Sequence, residues 1–169
     1  MTLRTNARIA GFAFLFYIAA GISSLALAGR PHVTGVLTIF TSFSALVLGV
    51  TLYAITREVD PDLALLGLVC RVIEAMPGEG AIYFAVGSTI FCWLLLRGRM
   101  IPIALAWLGV VASLLLDVIL LLQRGGLFGA AGSWSSKVTW FVWLPMLVFE
   151  VTLALWLIIK GVARATMRQ

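Results

Sequence analysis

Four ionisable side chains stand inside long apolar runs: Arg71, Glu74, Asp117 and Glu150. Each costs at least about 2.5 kcal/mol at the centre of a bilayer on insertion scales, so each is expected inside a helical bundle beside a partner or water. Two of them belong to CRVIEAMPGEG, residues 70–80, where an Arg, two Glu and a Pro-Gly pair interrupt an otherwise apolar chain. Arg71 and Glu74 are three residues apart, share a helix face and can pair. Asp117 and Glu150 are then left with at most a share of one cation, and carboxyls so placed are candidate proton donors and acceptors. In that chemistry Arg71 holds an anionic group or tunes the carboxyls, Glu74 orients Arg71, and Glu79 stands at the outer rim.

The surrounding chain sets the solvent. Of 169 residues, 62% are hydrophobic and only 11% charged, with a mean hydropathy of +1.10. Average soluble chains carry about a quarter charged residues, so the lipid bilayer is the expected surroundings. The net charge of +5, from 12 Lys and Arg against 7 Asp and Glu, reports which loops face the cytoplasm rather than an anionic partner. No basic soluble module exists for nucleic acid to bind. Cys70 and Cys92 lie within apolar runs without a CxxC pair, and the single histidine, His32, sits beside Pro31 in a loop. No metal site and no cofactor are expected from these residues.

A bilayer core of about 30 Å asks for roughly 20 apolar residues per helix. Segments 9–28, 33–56, 101–122 and 138–159 meet that length, whereas 63–96 is too long for one span and must fold back. Pro77-Gly78 is the natural break, since Pro lacks a backbone donor and Gly accepts the positive φ of a tight turn. Two short spans, 62–76 and 80–96, then form a hairpin. The expected fold is an all-α integral membrane bundle of six transmembrane helices in one domain, 1–169. Six spans place Arg4, Arg8, Arg57, Arg97, Arg99, Lys160, Arg164 and Arg168 on one side and Arg30, Arg124 and Lys137 on the other, eight against three. Five spans would split the same charges five against six. Six spans with both termini in the cytoplasm therefore satisfy the positive-inside rule. Arg4, Arg8 and the run ending Ala26-Leu27-Ala28 imitate a signal peptide, but the run is long for a signal core and is read as an uncleaved first helix.

Depths follow from about 1.5 Å per residue. Arg71 falls about 9 Å below the outer end of its helix, Asp117 at a comparable depth, Glu74 shallower, and Glu150 near the midplane. All are expected to line one cavity opening outward. Of six Trp, Trp134, Trp140 and Trp143 fit the outer interfacial belt and Trp93 and Trp156 the inner one. Trp143 also shares a helix face with Glu150, which makes it a candidate pocket residue. Tyr17, Tyr53 and Tyr83 offer hydroxyl partners. The longest loop, 123–137, is rich in Gly and Ser and carries Leu127, Phe128 and Trp134. It reads either as a mobile interfacial loop or as a lid. No repeat relates the first three helices to the last three, which counts against a two-fold transporter design.

Four phrases taken together, ARIAGFAFLFYIAAGI (7–22), DLALLGLVCRVIEA (62–75), RGRMIPIALAWLGVVA (97–112) and FEVTLALWLIIKG (149–161), resemble the bacterial membrane family catalogued as domain of unknown function 4386 across nearly the whole chain. The resemblance implies a small multi-helix protein of the bacterial inner membrane and carries over no activity. It matches Arg71 and Glu74 to the Arg and Glu of that family's FRLVEA-like phrase, and Glu150 to the acidic residue of its last helix. This chain departs by shortening the segment that follows to PGEG.

Three functional readings fit the residues. The leading one is a membrane-embedded acid–base enzyme on a small lipophilic substrate. Isomerisation, or cyclisation of an isoprenoid begun by protonation, fits, with Asp117 or Glu150 as the acid and aromatic faces to steady a cation. The second is a transporter or sensor that couples protonation of Glu150 or Asp117 to a small amphiphile. An 18.3 kDa chain would then be expected to dimerise to enclose a path. The third is a non-catalytic membrane protein whose ion pairs pin its helices together.

Overall fold

Hydrocarbon offers a backbone no water to bond, so a chain of this composition must satisfy its N–H and C=O groups within helices. The computed structural model describes residues 2–76, 80–127 and 137–165, and all regular structure among them is helical. The helices are α1 (Leu3–Ala26), α2 (Pro31–Thr56), α3 (Pro61–Glu74), α4 (Gly80–Arg97), α5 (Ile103–Arg124) and α6 (Lys137–Ile159). Five of them, all but α3, are long and apolar enough to cross a membrane. With 14 residues, α3 extends about 21 Å, short of the hydrocarbon thickness of about 30 Å. The Pro77-Gly78 turn and Glu79 lie outside the described residues, as do Phe128 and Trp134.

Local chemistry marks where the helices begin. The Thr2 hydroxyl accepts from the Thr5 N–H at the start of α1, and an Asp60 carboxylate oxygen accepts from the Leu63 N–H at the start of α3. Each satisfies one of the donors that a first turn leaves open. Pro31 and Pro61 occupy first-turn positions, where a missing N–H costs nothing.

The helices form a ring in chain order: each packs on its sequence neighbours, α6 returns to α1, and α2 also touches α4 across the middle. A Cβ added at Gly67 would meet the Phe91 ring and one at Gly87 would meet Cys70, so α3 and α4 run antiparallel. Gly11 lies against Ala154 and Ile158, Arg97 pairs with Asp60 at 3.1 Å, and the Ala163 N–H donates to the Met100 carbonyl at 2.9 Å. The start of α1, the α2–α3 and α4–α5 connections and the end of α6 therefore gather at one end of the bundle, here called the basic end.

The ring's inside holds Leu48, Leu52, Phe84, Phe91, Met146 and Phe149, all buried. Its outside is equally apolar: Phe141 is 74% exposed and Ile39 69%. A soluble protein does not expose an apolar surface of that extent; a lipid-facing one must.

Helices in lipid gain little from apolar contact alone, and close backbone approach at small residues becomes the main source of packing. Gly109 of α5 is the tightest such point, because a Cβ there would lie 2.5 Å from the Phe149 ring and 2.7 Å from the Cys92 sulfur. Gly109→Ala is expected to destabilise the fold by about 1–3 kcal/mol. Gly21→Ala, with nothing within 4 Å, should be neutral or gain up to about 1 kcal/mol of helix propensity. Unfolding of both variants in mixed micelles, followed by circular dichroism, checks this, and equal stability of the two would contradict the α4–α5–α6 contact.

Candidate functional site: a buried charge cluster

Arg71 is carried into the ring by the last turn of α3 and is 1% exposed. The absence of a side chain at Gly49 on α2 makes room for it: a Cβ there would lie 2.8 Å from the Arg71 Cβ. A guanidinium so placed needs its charge and its N–H groups answered. Its Nη1 donates to Glu74 Oε2 at 2.9 Å, forming an ion pair one turn along the same helix. Its Nη2 donates to Ser88 Oγ of α4 at 2.9 Å, and its Cζ lies 4.9 Å from the Phe84 ring centroid, within cation–π range. The Nε has no partner.

From Glu74 the network continues to α1. The Tyr17 hydroxyl donates to Glu74 Oε1 at 2.8 Å, so both carboxylate oxygens are engaged. The Tyr17 ring stacks on Phe84 at 6.0 Å, and Phe84 stacks on Trp143 of α6 at 5.5 Å. The ring that faces the cation is thus the middle member of a run of three aromatic rings contributed by three helices.

Glu150 of α6 is 4% exposed. It stands within electrostatic reach of Arg71, Glu74 and Tyr17, and its Oε1 has no hydrogen-bond partner. A cavity of about 10 Å³ at Arg71 is lined also by Ser88, with Phe14, Leu52, Met146 and Phe149 among its apolar walls, room for about one water molecule. The group therefore contains one cation, two carboxyls, a phenol and a hydroxyl, and Glu150 is the carboxyl that Arg71 does not directly bond.

Asp117 occupies a different place. Its Oδ2 accepts from the Thr89 hydroxyl at 2.8 Å, its Oδ1 has no partner, and Cys70 is a neighbour within electrostatic reach. Arg71 and Glu150 interact electrostatically with each other and with Glu74, and Cys70 lies within electrostatic reach of both Arg71 and Asp117. The side chains expected to share a cavity are hydrogen-bonded in two groups, one around Arg71 and one at Thr89–Asp117. Trp143 meets the first through Phe84. The residues that sequence reasoning missed are Ser88, Phe84 and Thr89. Adjacent hydroxyls, Ser88-Thr89, within an apolar helix were the available signal for two of them.

Among the described residues, no three His, Cys, Asp or Glu side chains gather as a metal ion would require. Cys70 and Cys92 are free and buried.

An apolar-skinned ring of helices with charged groups held inside defines the class, an all-helical membrane protein. Within that class, residues 78–161 match the model of the family described as Domain of unknown function (DUF4386), and the resemblance carried by the sequence phrases holds over this stretch. It includes α4, α5 and α6, and hence Ser88, Thr89, Asp117 and Glu150; Arg71 and Glu74 precede it. No curated protein and no solved structure matches the chain.

The Tyr17–Glu74 bond joins two helices that are not neighbours in the ring. A double-mutant cycle with Tyr17→Phe and Glu74→Gln should give a coupling of about 0.6–2 kcal/mol in mixed-micelle unfolding. Arg71→Met alone should cost more, about 3–5 kcal/mol, by stranding Glu74. Zero coupling would remove the α1–α3 tie.

Proposed function

We propose that this chain is a six-span protein of the bacterial inner membrane with both termini in the cytoplasm. Its interior couples proton exchange at Glu150 to the binding of a small amphiphile, as a transporter or sensor does. The orientation rests on the charge bias of eight against three, with α3 counted as a short span paired with α4.

The observation that carries the functional reading is Glu150 itself. A helix-pinning role needs one cation and one anion, and Arg71 with Glu74 already supplies both. Glu150 adds a second buried carboxyl with an unbonded oxygen within electrostatic reach of Arg71, an expensive arrangement in a membrane interior and by default a functional one. Pro145 lies inside α6 five residues before Glu150. It removes one helix bond and gives α6 a place to bend when the charge on Glu150 changes.

Acid–base catalysis on a lipophilic substrate uses the same residues, but it needs room for that substrate beside the acid. The cavity at Arg71 holds about one water molecule; it admits a proton carrier as it stands, whereas an amphiphile enters only after α6 bends, a movement that coupling requires. Asp117 serves in this reading as the polar tie between α4 and α5, and a second copy of the chain encloses the path if the protein transports.

Native mass spectrometry with lipid extraction, comparing wild type with Glu150→Gln and Asp117→Asn at matched folding, tests the proposal. A small amphiphile should co-purify with wild type and fall about tenfold or more in Glu150→Gln, the loss expected when a charge-assisted bond is removed. An infrared carboxyl band that titrates should vanish in the same variant and persist in Asp117→Asn. No ligand, no titrating band and merely lower stability in both variants would mean that these charges only hold the bundle together.

A further inference from the structure

The basic end of the bundle carries a second feature, remote from the Arg71 cluster. Between the α4–α5 connection and the segment following α6 lies a cleft of about 350 Å³, lined by Arg99, Met100, Pro102, Trp156, Lys160 and Ala163, among others. That volume is in the range of small-ligand sites. Its two walls come from parts of the chain some sixty residues apart in sequence. The bond from the Ala163 N–H to the Met100 carbonyl, 2.9 Å, fastens one to the other.

Arg99 and Lys160 are both exposed at this cleft, and among the described residues neither forms an ion pair. Arg97, two residues before Arg99, is by contrast paired with Asp60. The Arg99 backbone has φ 50, the only positive φ among described residues other than glycine. It is held there by the turn that closes α4, in which the Met100 N–H donates to the Leu95 carbonyl. Helices commonly end this way on glycine. Here Gly98 precedes the position and Arg occupies it, an unfavourable choice for an L residue that puts a guanidinium at the mouth of the cleft. Trp156, half-buried in the wall, has the amphipathic ring that settles at headgroup level.

We infer that this cleft binds the phosphate of an anionic phospholipid headgroup, Arg99 and Lys160 gripping the phosphate while Trp156 rests at the glycerol level. The ligand chemistry is a phosphate ester. The lipid is favoured as its source because the cleft opens at one end of a lipid-facing bundle, where basic pockets between helices meet anionic headgroups. The assignment needs only the membrane class of the protein and stands or falls apart from the Glu150 reading.

The test is native mass spectrometry of the purified full chain titrated with phosphatidylglycerol or with phosphatidylcholine of the same acyl chains. Wild type should prefer phosphatidylglycerol. Each cation near the surface contributes roughly fivefold, so the Arg99→Gln/Lys160→Gln pair should lose about tenfold or more of that preference. Arg57→Gln, exposed at the same end but outside the cleft, should lose far less. Arg99→Gly keeps the test clear of folding failure, because it relieves the backbone and should be at least as stable as wild type while binding about fivefold more weakly. An equal loss in Arg57→Gln would replace the site by diffuse charge and overturn the inference. Displacement of the lipid by excess inorganic phosphate would overturn the lipid assignment in favour of a soluble phosphate compound.

Discussion

Arg71 is a fixed positive charge inside an apolar ring, and much of the polar structure around it is what that charge demands. Removing a guanidinium from water costs several kcal/mol even after relaxation, and lipid outside the ring supplies nothing in return. Glu74 answers the charge, Ser88 answers a second nitrogen, and Phe84 presents a ring face to the guanidinium. Gly49 yields the volume. The demand passes outward one more step, since Glu74 accepts from Tyr17 and thereby ties α1 to α3 across the ring. One charged residue on the shortest helix thus sets residue choices on α1, α2, α3 and α4.

The shortness of α3 is part of the same geometry. Glu74 lies about 20 Å along α3 from the basic end, and Tyr17 lies about 20 Å along α1 from the same end. The phenol and the carboxylate meet because their helices start together and count nearly equal numbers of residues. A full-length α3 would carry its last turn toward the headgroups, where water would compete for both partners. Ending at Glu74 keeps the pair at a depth where the bond has no such competitor, and the ring is held together by polar contacts and glycine approaches rather than by apolar area.

Much of this was legible in the residues. Composition alone identifies lipid as the solvent, and the apolar runs mark where α1, α2, α5 and α6 lie. The spacing of Arg71 and Glu74 foretells their pairing. The partners on other helices were not legible. Ser88 bonds Arg71, yet Ser113 and Thr51, the same kind of residue in the same kind of run, bond carbonyls of their own helices. An isolated hydroxyl does not tell which of these it will do. Depth alone places Asp117 level with Arg71, but it says nothing about direction around the helix axis. Ser88 and Thr89 point about 100° apart on α4, and the first reaches Arg71 while the second reaches Asp117. Neighbours in sequence therefore serve two separate polar groups.

The direction of any response follows from how α6 is held. Beyond Pro145, its second half carries Glu150 and is locked by two close approaches, Gly109 on Phe149 and Gly11 on Ala154 and Ile158. Contacts of its first half include the Phe84–Trp143 stack and a 3.4 Å bond between Gln123 and Thr139. A proton gained or lost at Glu150 changes the charge facing Arg71 within the locked half, where glycine contacts leave little freedom to move. Displacement would then be taken up at Pro145, where a helix bond is already missing, and carried by the first half of α6. That half bears Trp143, whose ring bears on Phe84 and, through it, on Arg71 and Tyr17. In the proposed coupling, the aromatic stack is the mechanical link between Glu150 and the end of the bundle opposite the basic one.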